Sequence, residues 1–190
     1  MNPSQYIEKL VIKRKDNRDY AMMCALPVAA ALVIFVILKF LPVRFLALGA
    51  ALVVVIGYAM YYAIKMIYME YEYAITLGDI DIDSIRGQRK RVRVFSGSLS
   101  QIEEMAPYNA NAHMSAWDNI PNRVEAVSDL RADDIYYFIG AYKGQRTLVL
   151  FQPSQEMLAV CRKYMGRKLT LSPGDQILVS AARDELEGED

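Results

Sequence analysis

Two long apolar runs near the N-terminus, residues 21–38 and residues 45–64, contain no charged residue. At 1.5 Å of rise per residue, each run would span about 27 to 30 Å as a helix, which matches the roughly 30 Å hydrocarbon core of a bilayer. Buried helices of a soluble core normally keep a polar stripe at helical spacing, and neither run has one. A cleaved signal peptide is also disfavoured, because a charged leader precedes the first run and a second span follows it. The sequence therefore predicts a two-helix transmembrane hairpin over residues 20–69.

The segments that flank the two predicted helices set their orientation. The connection of residues 39–44 is too short for anything except an antiparallel hairpin, so both ends of the chain should share one side of the membrane. Positive charge is concentrated before the first helix rather than in the connection, with Lys9, Lys13, Arg14, Lys15 and Arg18 against Lys39 and Arg44. By the positive-inside rule, we expect a multi-pass protein of the cell membrane with both termini in the cytoplasm. Neither span holds an acidic or basic side chain for a transport pathway, so the hairpin is predicted to be an anchor.

A basic segment, residues 1–19, precedes the hairpin. Tyr6, Ile7, Leu10 and Val11 would share one face of a short helix with charged residues on its other side. Such a helix would either lie along the membrane surface or dock on the soluble part of the chain, and the pattern fits both alternatives.

Beyond residue 70 the apolar spacing changes from helical to alternating, which predicts a mostly β cytoplasmic domain over residues 70–167. About seven strands are expected, at residues 71–77, 80–85, 89–95, 99–105, 123–127, 135–142 and 146–151. Turn residues such as Gly78-Asp79 and Lys143-Gly144 separate several of these strands and predict an antiparallel meander.

One amphipathic helix is predicted after the strands. Ser154 suits its N-cap, apolar residues recur at helical spacing over residues 157–165, and Gly166 suits its C-terminal cap. Residues 168–190 form an extension that ends in acidic residues at positions 184, 185, 187, 189 and 190. This composition predicts a disordered, solvated tail.

The order of these elements resembles the pleckstrin-homology (PH) fold, a bent antiparallel barrel with a helix plugging one open end. The stretch YEYAITLGDIDID at residues 71–83, the basic run after it and IEEMAPY at residues 102–108 resemble an uncharacterised bacterial family of two-transmembrane proteins with a bacterial PH-like domain. The resemblance covers most of the chain. It implies a membrane α-helical hairpin plus a mostly β soluble domain, a PH-like barrel of about seven strands with a C-terminal helix. Because that family has no assigned function, the resemblance implies no activity, substrate or site.

Composition narrows the classes of function. Basic and acidic residues balance at 22 each, so a nucleic-acid partner, which needs a dominant basic field, is not expected. His113 is the only histidine, and the sequence lacks metal-ligand spacings and phosphate-binding glycine loops, so we expect neither a cofactor nor an enzyme. Cys24 and Cys161 fall in a membrane helix and a soluble helix respectively, so no disulfide is expected.

The most conspicuous candidate site is the basic run just after the acidic residues 79–83. Its cationic members are Arg86, Arg89, Lys90, Arg91 and Arg93. Side chains of this kind bind the anionic head groups of membrane lipids.

A ladder of opposite charges is the alternative interpretation of the same residues. If the turn centres on Arg86, acids and bases face each other across the hairpin on its outer face. The predicted pairs are Asp83 with Arg89, Asp81 with Arg91, and Asp79 with Arg93. Three acids against five bases leave a weak positive field, which favours the ladder over specific lipid binding.

The longest irregular stretch of the predicted domain, residues 108–122, contains His113 and Trp117. Long loops that carry an aromatic residue often bind partners. The favoured alternative is that Trp117 folds back over an open end of the barrel, because burial of its large apolar surface is stabilising.

These features lead to three hypotheses for function. The leading one is a non-enzymatic scaffold or interaction platform, held in the lipid bilayer by its two helices and bound to a protein partner or to a second copy of the chain. The second is a module that responds to anionic lipids through the basic run. The third is an enzyme with an unrecognised site.

Overall fold

The computed structural model describes residues 6–109, 117 and 119–188, with the backbone alone over residues 181–188. The chain divides into two compact units. The helical unit comprises Arg14–Met69 and Arg86–Arg89, and the β unit comprises Met1–Lys13, Glu70–Ile85 and Lys90–Asp190.

The helical unit is an antiparallel helix pair. Helix α1 covers Asn17–Phe40, a 3₁₀ turn covers Val43–Phe45, and helix α2 covers Leu46–Ile67. Before α1, the backbone N–H of Asp16 donates to the Asp19 carboxylate at 3.0 Å, which satisfies a donor at the helix start. The helix ends just before Pro42, which cannot continue it. The prediction of two apolar helices joined by a short connection is confirmed.

The two helices leave many of their apolar side chains exposed and bury almost none. Among their described residues, only Gly49 is buried, and a Cβ at that position would lie 2.6 Å from Cδ2 of Leu41. A core helix of a soluble protein would be mostly covered by protein, whereas these helices present bare apolar surface. Both are long and apolar enough to cross a membrane, which suggests membrane association.

The first sheet of the β unit has four strands in the order β1-β2-β3-β4. They cover Tyr6–Ile12, Met69–Thr76, Asp79–Arg86 and Lys90–Ser98. Strand β1 runs antiparallel to β2, with Tyr6 opposite Thr76 and Ile12 opposite Glu70. In the sequence, the two long helices therefore lie between two strands that pair with each other. The domain boundary predicted at residue 70 would separate β1 from the sheet to which it belongs.

Strand β1 corrects the prediction of an N-terminal helix. Ile7 and Val11 are four residues apart, a spacing that places them on one face of a helix and equally on one face of a strand. In the structure Val11 is buried while Leu10 and Ile12 beside it are exposed, the alternation of a strand with one covered face.

The second sheet also has four strands, in the order β5-β7-β8-β6. They cover Glu104–Pro107, Asn122–Ala126, Tyr136–Tyr142 and Gln145–Phe151, numbered β5 to β8 in chain order. Strands β7 and β8 form the predicted hairpin across Lys143-Gly144, but β6 pairs with β8 in parallel. The expectation of a pure antiparallel meander was therefore wrong, because the connection from β6 to β7 carries the chain past the neighbouring strand.

A chain of edge-to-face aromatic contacts joins the two sheets. The Phe95 ring meets Phe138 at a centroid distance of 4.9 Å, Phe138 meets Phe151 at 5.2 Å, and Phe151 meets Tyr73 at 5.8 Å. The Tyr73 hydroxyl donates to the carbonyl of Ala126. Since all four rings are fully buried, this row forms the centre of the core between the sheets.

Helix α3, which covers Gln155–Met165, follows the strands as predicted. The Ser154 side chain accepts a hydrogen bond from the backbone N–H of Met157 at 3.2 Å, which caps the helix start. Gly166 ends the helix at a φ of +57°, a conformation that suits glycine. Leu158 and Cys161 on the inner face are buried.

The C-terminal extension continues as helix α4, Pro173–Gly188, which corrects the prediction of a disordered tail up to residue 188; Glu189 and Asp190 lie outside the described residues. Asp175 holds its first turn in place. The Asp175 carboxylate accepts hydrogen bonds from the Tyr136 hydroxyl at 2.5 Å, from Gln155 at 2.8 Å and from the Ser172 hydroxyl at 2.6 Å. The acidic composition of the last positions obscured this helix start, although Ser172 and Asp175 stand three residues apart, as in a capping box.

Candidate functional site

The basic run lies on the β3–β4 hairpin, which turns through three residues. Strand β3 ends at Arg86 and β4 begins at Lys90, so the turn centres on Gln88 rather than on Arg86. Gly87 and Gln88 both have a φ of +58°, and the backbone N–H of Arg89 donates to the carbonyl of Arg86 at 3.2 Å. A shift of the turn centre by two residues moves every facing pair, so the predicted partners in the ladder were wrong.

Opposite charges nevertheless pair along the strands. Arg93 contacts Asp81 at 2.8 Å and Asp83 at 2.5 Å, and hydrogen bonding to Asp83 raises the pKa of Arg93. Arg91 contacts Glu72 on β2 at 2.6 Å and Asp83 at 3.8 Å. Three carboxylates against two guanidinium groups give this network a net charge of one negative. Arg91 and Arg93 are therefore committed to holding the sheet together.

The turn itself carries the positive charge that the network does not neutralise. Arg86, Arg89 and Lys90 are all exposed. Within the part of the chain that the structure describes, their side chains make no ion pair or hydrogen bond. The five cations predicted as one set thus fall into two groups, two structural and three available for a ligand.

Contacts inside the helical unit hold the turn against the end of α2. The backbone N–H of Gly87 donates to the carbonyl of Tyr68 at 2.9 Å. A Cβ at Gly87 would lie 3.2 Å from Sδ of Met66 and 3.3 Å from the carbonyl oxygen of Lys65. This close approach accounts for a glycine at the position.

The segment before α1 reaches the same place. The Lys15 ammonium lies 4.0 Å from the centroid of the Tyr68 ring, within cation–π distance. Tyr68 therefore joins the start of α1, the end of α2 and the β3–β4 turn. Sequence reasoning missed this meeting point, because its members are far apart along the chain.

Trp117 packs on the second sheet. Its ring stacks on Tyr108 at 5.2 Å and meets the edge of Tyr137 at 5.3 Å. It belongs to a buried cluster that includes Ile139 on β7 and Leu148 on β8. Along these two strands, the residues of the cluster alternate with the residues that face the core between the sheets. Trp117 is thus buried, as the favoured interpretation expected, and it covers a sheet face. His113 lies outside the described residues.

Two observations concern the reactive groups among the described residues. None of their His, Cys, Asp and Glu side chains form a group of three that could hold a metal ion. Burial raises the pKa of the Cys161 thiol to about 12, so this thiol stays protonated and unreactive. A cleft of about 510 Å³ between α3 and α4 has one charged side chain in its lining, Arg162, which donates to the backbone carbonyl of Leu169 at 2.6 Å.

Comparisons with known proteins agree with the architecture. The family described as "Bacterial PH-like domain (DUF6106)" matches residues 4–171, a range that includes β1, both long helices, both sheets and α3. The comparison with curated proteins and the comparison with solved structures found no match. The family description names a fold and no activity, so function must be argued from the site.

Proposed function

Since the chain belongs to the bacterial PH-like domain family (DUF6106), we propose that it is a membrane-anchored, non-enzymatic module whose β3–β4 turn contacts the anionic head groups of membrane lipids. One observation carries the proposal. The hydrogen bond between Gly87 and Tyr68 keeps three exposed cations at the end of an apolar helix. In a bilayer, that end of a spanning helix lies at the level of the head groups.

The attraction between the turn and an anionic membrane can be estimated from the number of its exposed cations. A lysine or arginine near an anionic membrane surface contributes about 1 kcal/mol, so Arg86, Arg89 and Lys90 together contribute about 3 kcal/mol. Arg91 and Arg93 add little, because nearby carboxylates already neutralise them. This division reverses the preference drawn from the sequence, which paired Arg89, Arg91 and Arg93 with acids.

The orientation of the anchor belongs to the same proposal. Both termini and the β unit face the cytoplasm, as the excess of lysine and arginine before α1 supports. Single cysteines at Ser4 and Glu187 should then resist a membrane-impermeant thiol reagent in intact cells, whereas one at Pro42 should react. Labelling at the two ends and protection at Pro42 would refute this orientation.

The lipid role is tested on the full chain in phosphatidylcholine bilayers. Electron paramagnetic resonance measures the association of spin-labelled phosphatidylglycerol with the protein relative to spin-labelled phosphatidylcholine. Replacing Arg86, Arg89 and Lys90 together by glutamine should remove the preference for phosphatidylglycerol. The matched control replaces three exposed cations of the β unit, Arg131, Lys163 and Arg167, and should keep it. Equal preference in both triple variants would refute the proposal.

A protein-binding role is the second candidate, because α4 exposes two adjacent large apolar residues. Ile177 is 73% exposed and Leu178 is 53% exposed, and such neighbours on a helix surface are typical of an interaction site. A photo-crosslinking residue at position 177 should capture a discrete partner in native membranes, and the same residue at exposed Glu156 should not. Equal labelling from both positions would count against this role.

A further inference from the structure

We infer that the lipid site is composite: Lys15 before α1 and Lys65 at the end of α2 join Arg86 and Arg89 around Tyr68 to bind the phosphate groups of anionic lipids. This inference rests on the proposed function and extends it to two segments outside the basic run. The four cations and Tyr68 are called the Tyr68 cluster below.

The geometry around Tyr68 brings the segments together. Its ring carries the Lys15 ammonium, its carbonyl accepts from Gly87, and its backbone N–H donates to the carbonyl of Lys65 at 3.3 Å. All of these contacts lie within the helical unit. Lys15, just before the first long helix, is therefore placed near a turn that follows the second long helix by about twenty residues.

The charge balance at this place favours an anion. The Tyr68 cluster holds four cations, and the acidic residues next to Lys15 are Asp16 and Asp19. The Asp19 carboxylate accepts from the backbone N–H of Asp16 and keeps its charge, so four cations against these two acids leave a net charge of two positive. The ring of Tyr68 holds the Lys15 ammonium without neutralising it, because a cation–π contact leaves the full positive charge in place.

The donors that remain determine the class of ligand. The backbone N–H groups of Gly87 and Arg89 already donate to Tyr68 and Arg86, so this turn does not form the backbone cradle that selects one phosphate ester by shape. Recognition is left to side-chain ammonium and guanidinium groups, of which those of Arg86 and Arg89 are exposed and those of Lys15 and Lys65 partly exposed. The Tyr68 cluster should therefore respond to the negative charge of a lipid rather than to the identity of its head group.

The test uses the full chain and the same spin-labelled lipids. Lys15→Gln should lower the relative association of phosphatidylglycerol about two- to five-fold, the effect of one cation near an anionic surface. The matched control is Lys39→Gln, because Lys39 also lies over an aromatic ring, that of Phe40 at 5.9 Å, but at the other end of the helix pair. The control should lower the selectivity less than Lys15→Gln does, because Lys39 lies outside the Tyr68 cluster.

Substitutions of Tyr68 separate positioning from simple charge. Tyr68→Leu removes the ring under Lys15 and should reduce selectivity as Lys15→Gln does, whereas Tyr68→Phe keeps the ring and should retain it. Thermal unfolding of each variant identifies any general loss of structure. If Tyr68→Leu unfolds, the comparison of Lys15→Gln with Lys39→Gln decides alone.

The outcomes distinguish the composite site from the proposed function. Loss of selectivity in the triple turn variant, with Lys15→Gln equal to Lys39→Gln, would refute the composite site and leave the proposed function standing. No loss in any variant would refute both. Two further results would overturn the inferred ligand: displacement of the spin-labelled lipid by glycerol phosphate at constant ionic strength, or different affinities for two head groups of equal charge.

Discussion

Replacing Gly87 by alanine should weaken the joint between the β3–β4 turn and the end of α2. Two costs are expected. An L-residue at a φ of +58° loses about 1 to 2 kcal/mol relative to glycine. The new Cβ would also lie 3.2 Å from Sδ of Met66 and 3.3 Å from the backbone carbonyl of Lys65. The methionine can rotate away, but the carbonyl belongs to the last turn of a helix, and crowding of this kind costs about 1 kcal/mol or more.

The matched control is Gly144→Ala, in the turn between β7 and β8. Gly144 has a φ of +76°, and a Cβ there would meet no atom within 4 Å. The control should therefore lower the free energy of unfolding by the backbone cost alone, about 1 to 2 kcal/mol, whereas Gly87→Ala should lower it by about 2 to 3 kcal/mol or more. The difference of about 1 kcal/mol measures how closely the turn packs on the helix.

Thermal unfolding of the full chain in detergent micelles or nanodiscs can resolve this difference. Trp117 is the only tryptophan and is buried in the β unit, so its fluorescence reports on unfolding without a label. For a chain of this size, 1 kcal/mol corresponds to a shift of about 2 to 4 °C in Tm. Equal shifts for Gly87→Ala and Gly144→Ala would show that the turn does not press on the end of α2.

Three further predictions concern single interactions. Leu77→Asn should raise the free energy of unfolding by about 0.5 to 1 kcal/mol in thermal melts, because Leu77 is exposed at a φ of +53° and asparagine tolerates this conformation in a two-residue hairpin turn. A double-mutant cycle on Asp83→Asn and Arg93→Gln should give a coupling of about 0.5 to 2 kcal/mol, while the cycle that pairs Arg93 with Asp79 should be additive within about 0.5 kcal/mol. Burial alone would raise the pKa of Asp175, but three hydrogen-bond donors together lower it. The ionised carboxylate therefore contributes fully to the free energy of unfolding at neutral pH, and this contribution is lost as the pH falls through the lowered pKa. The parent should thus be more stable than Asp175→Asn in urea at pH 7, and the gap should close below about pH 4; a gap independent of pH would refute this account.

The features that could be predicted from the sequence are those encoded locally. The two long helices follow from uncharged runs that need no knowledge of the rest of the fold. Helix α3 follows from Ser154 and Gly166, which mark its two ends within a dozen residues. The signal for the start of α4, from Ser172 and Asp175, is equally local, but the acidic composition at the far end of the helix is typical of a disordered tail.

The features that could not be predicted depend on pairing between distant segments. Ile7 and Val11 fit a helix and a strand equally well, and only the presence of β2 as a partner decides between them. The partners of Arg93 depend on whether the turn centres on Arg86 or Gln88, a difference of two residues that changes every contact. The candidate site was therefore found by composition, whereas its division into paired and available cations required the structure.

If both long helices span a membrane, their position between β1 and β2 makes the closing of the first sheet depend on how the chain crosses it. During synthesis β1 emerges first and must wait for its partner strand until both helices have been made. If the chain crosses twice, β1 and β2 arrive in the same compartment and the first sheet can close. If one helix fails to cross, the two strands are left on opposite sides and the sheet lacks its edge. The first sheet can therefore close only when β1 and β2 lie on the same side of the membrane.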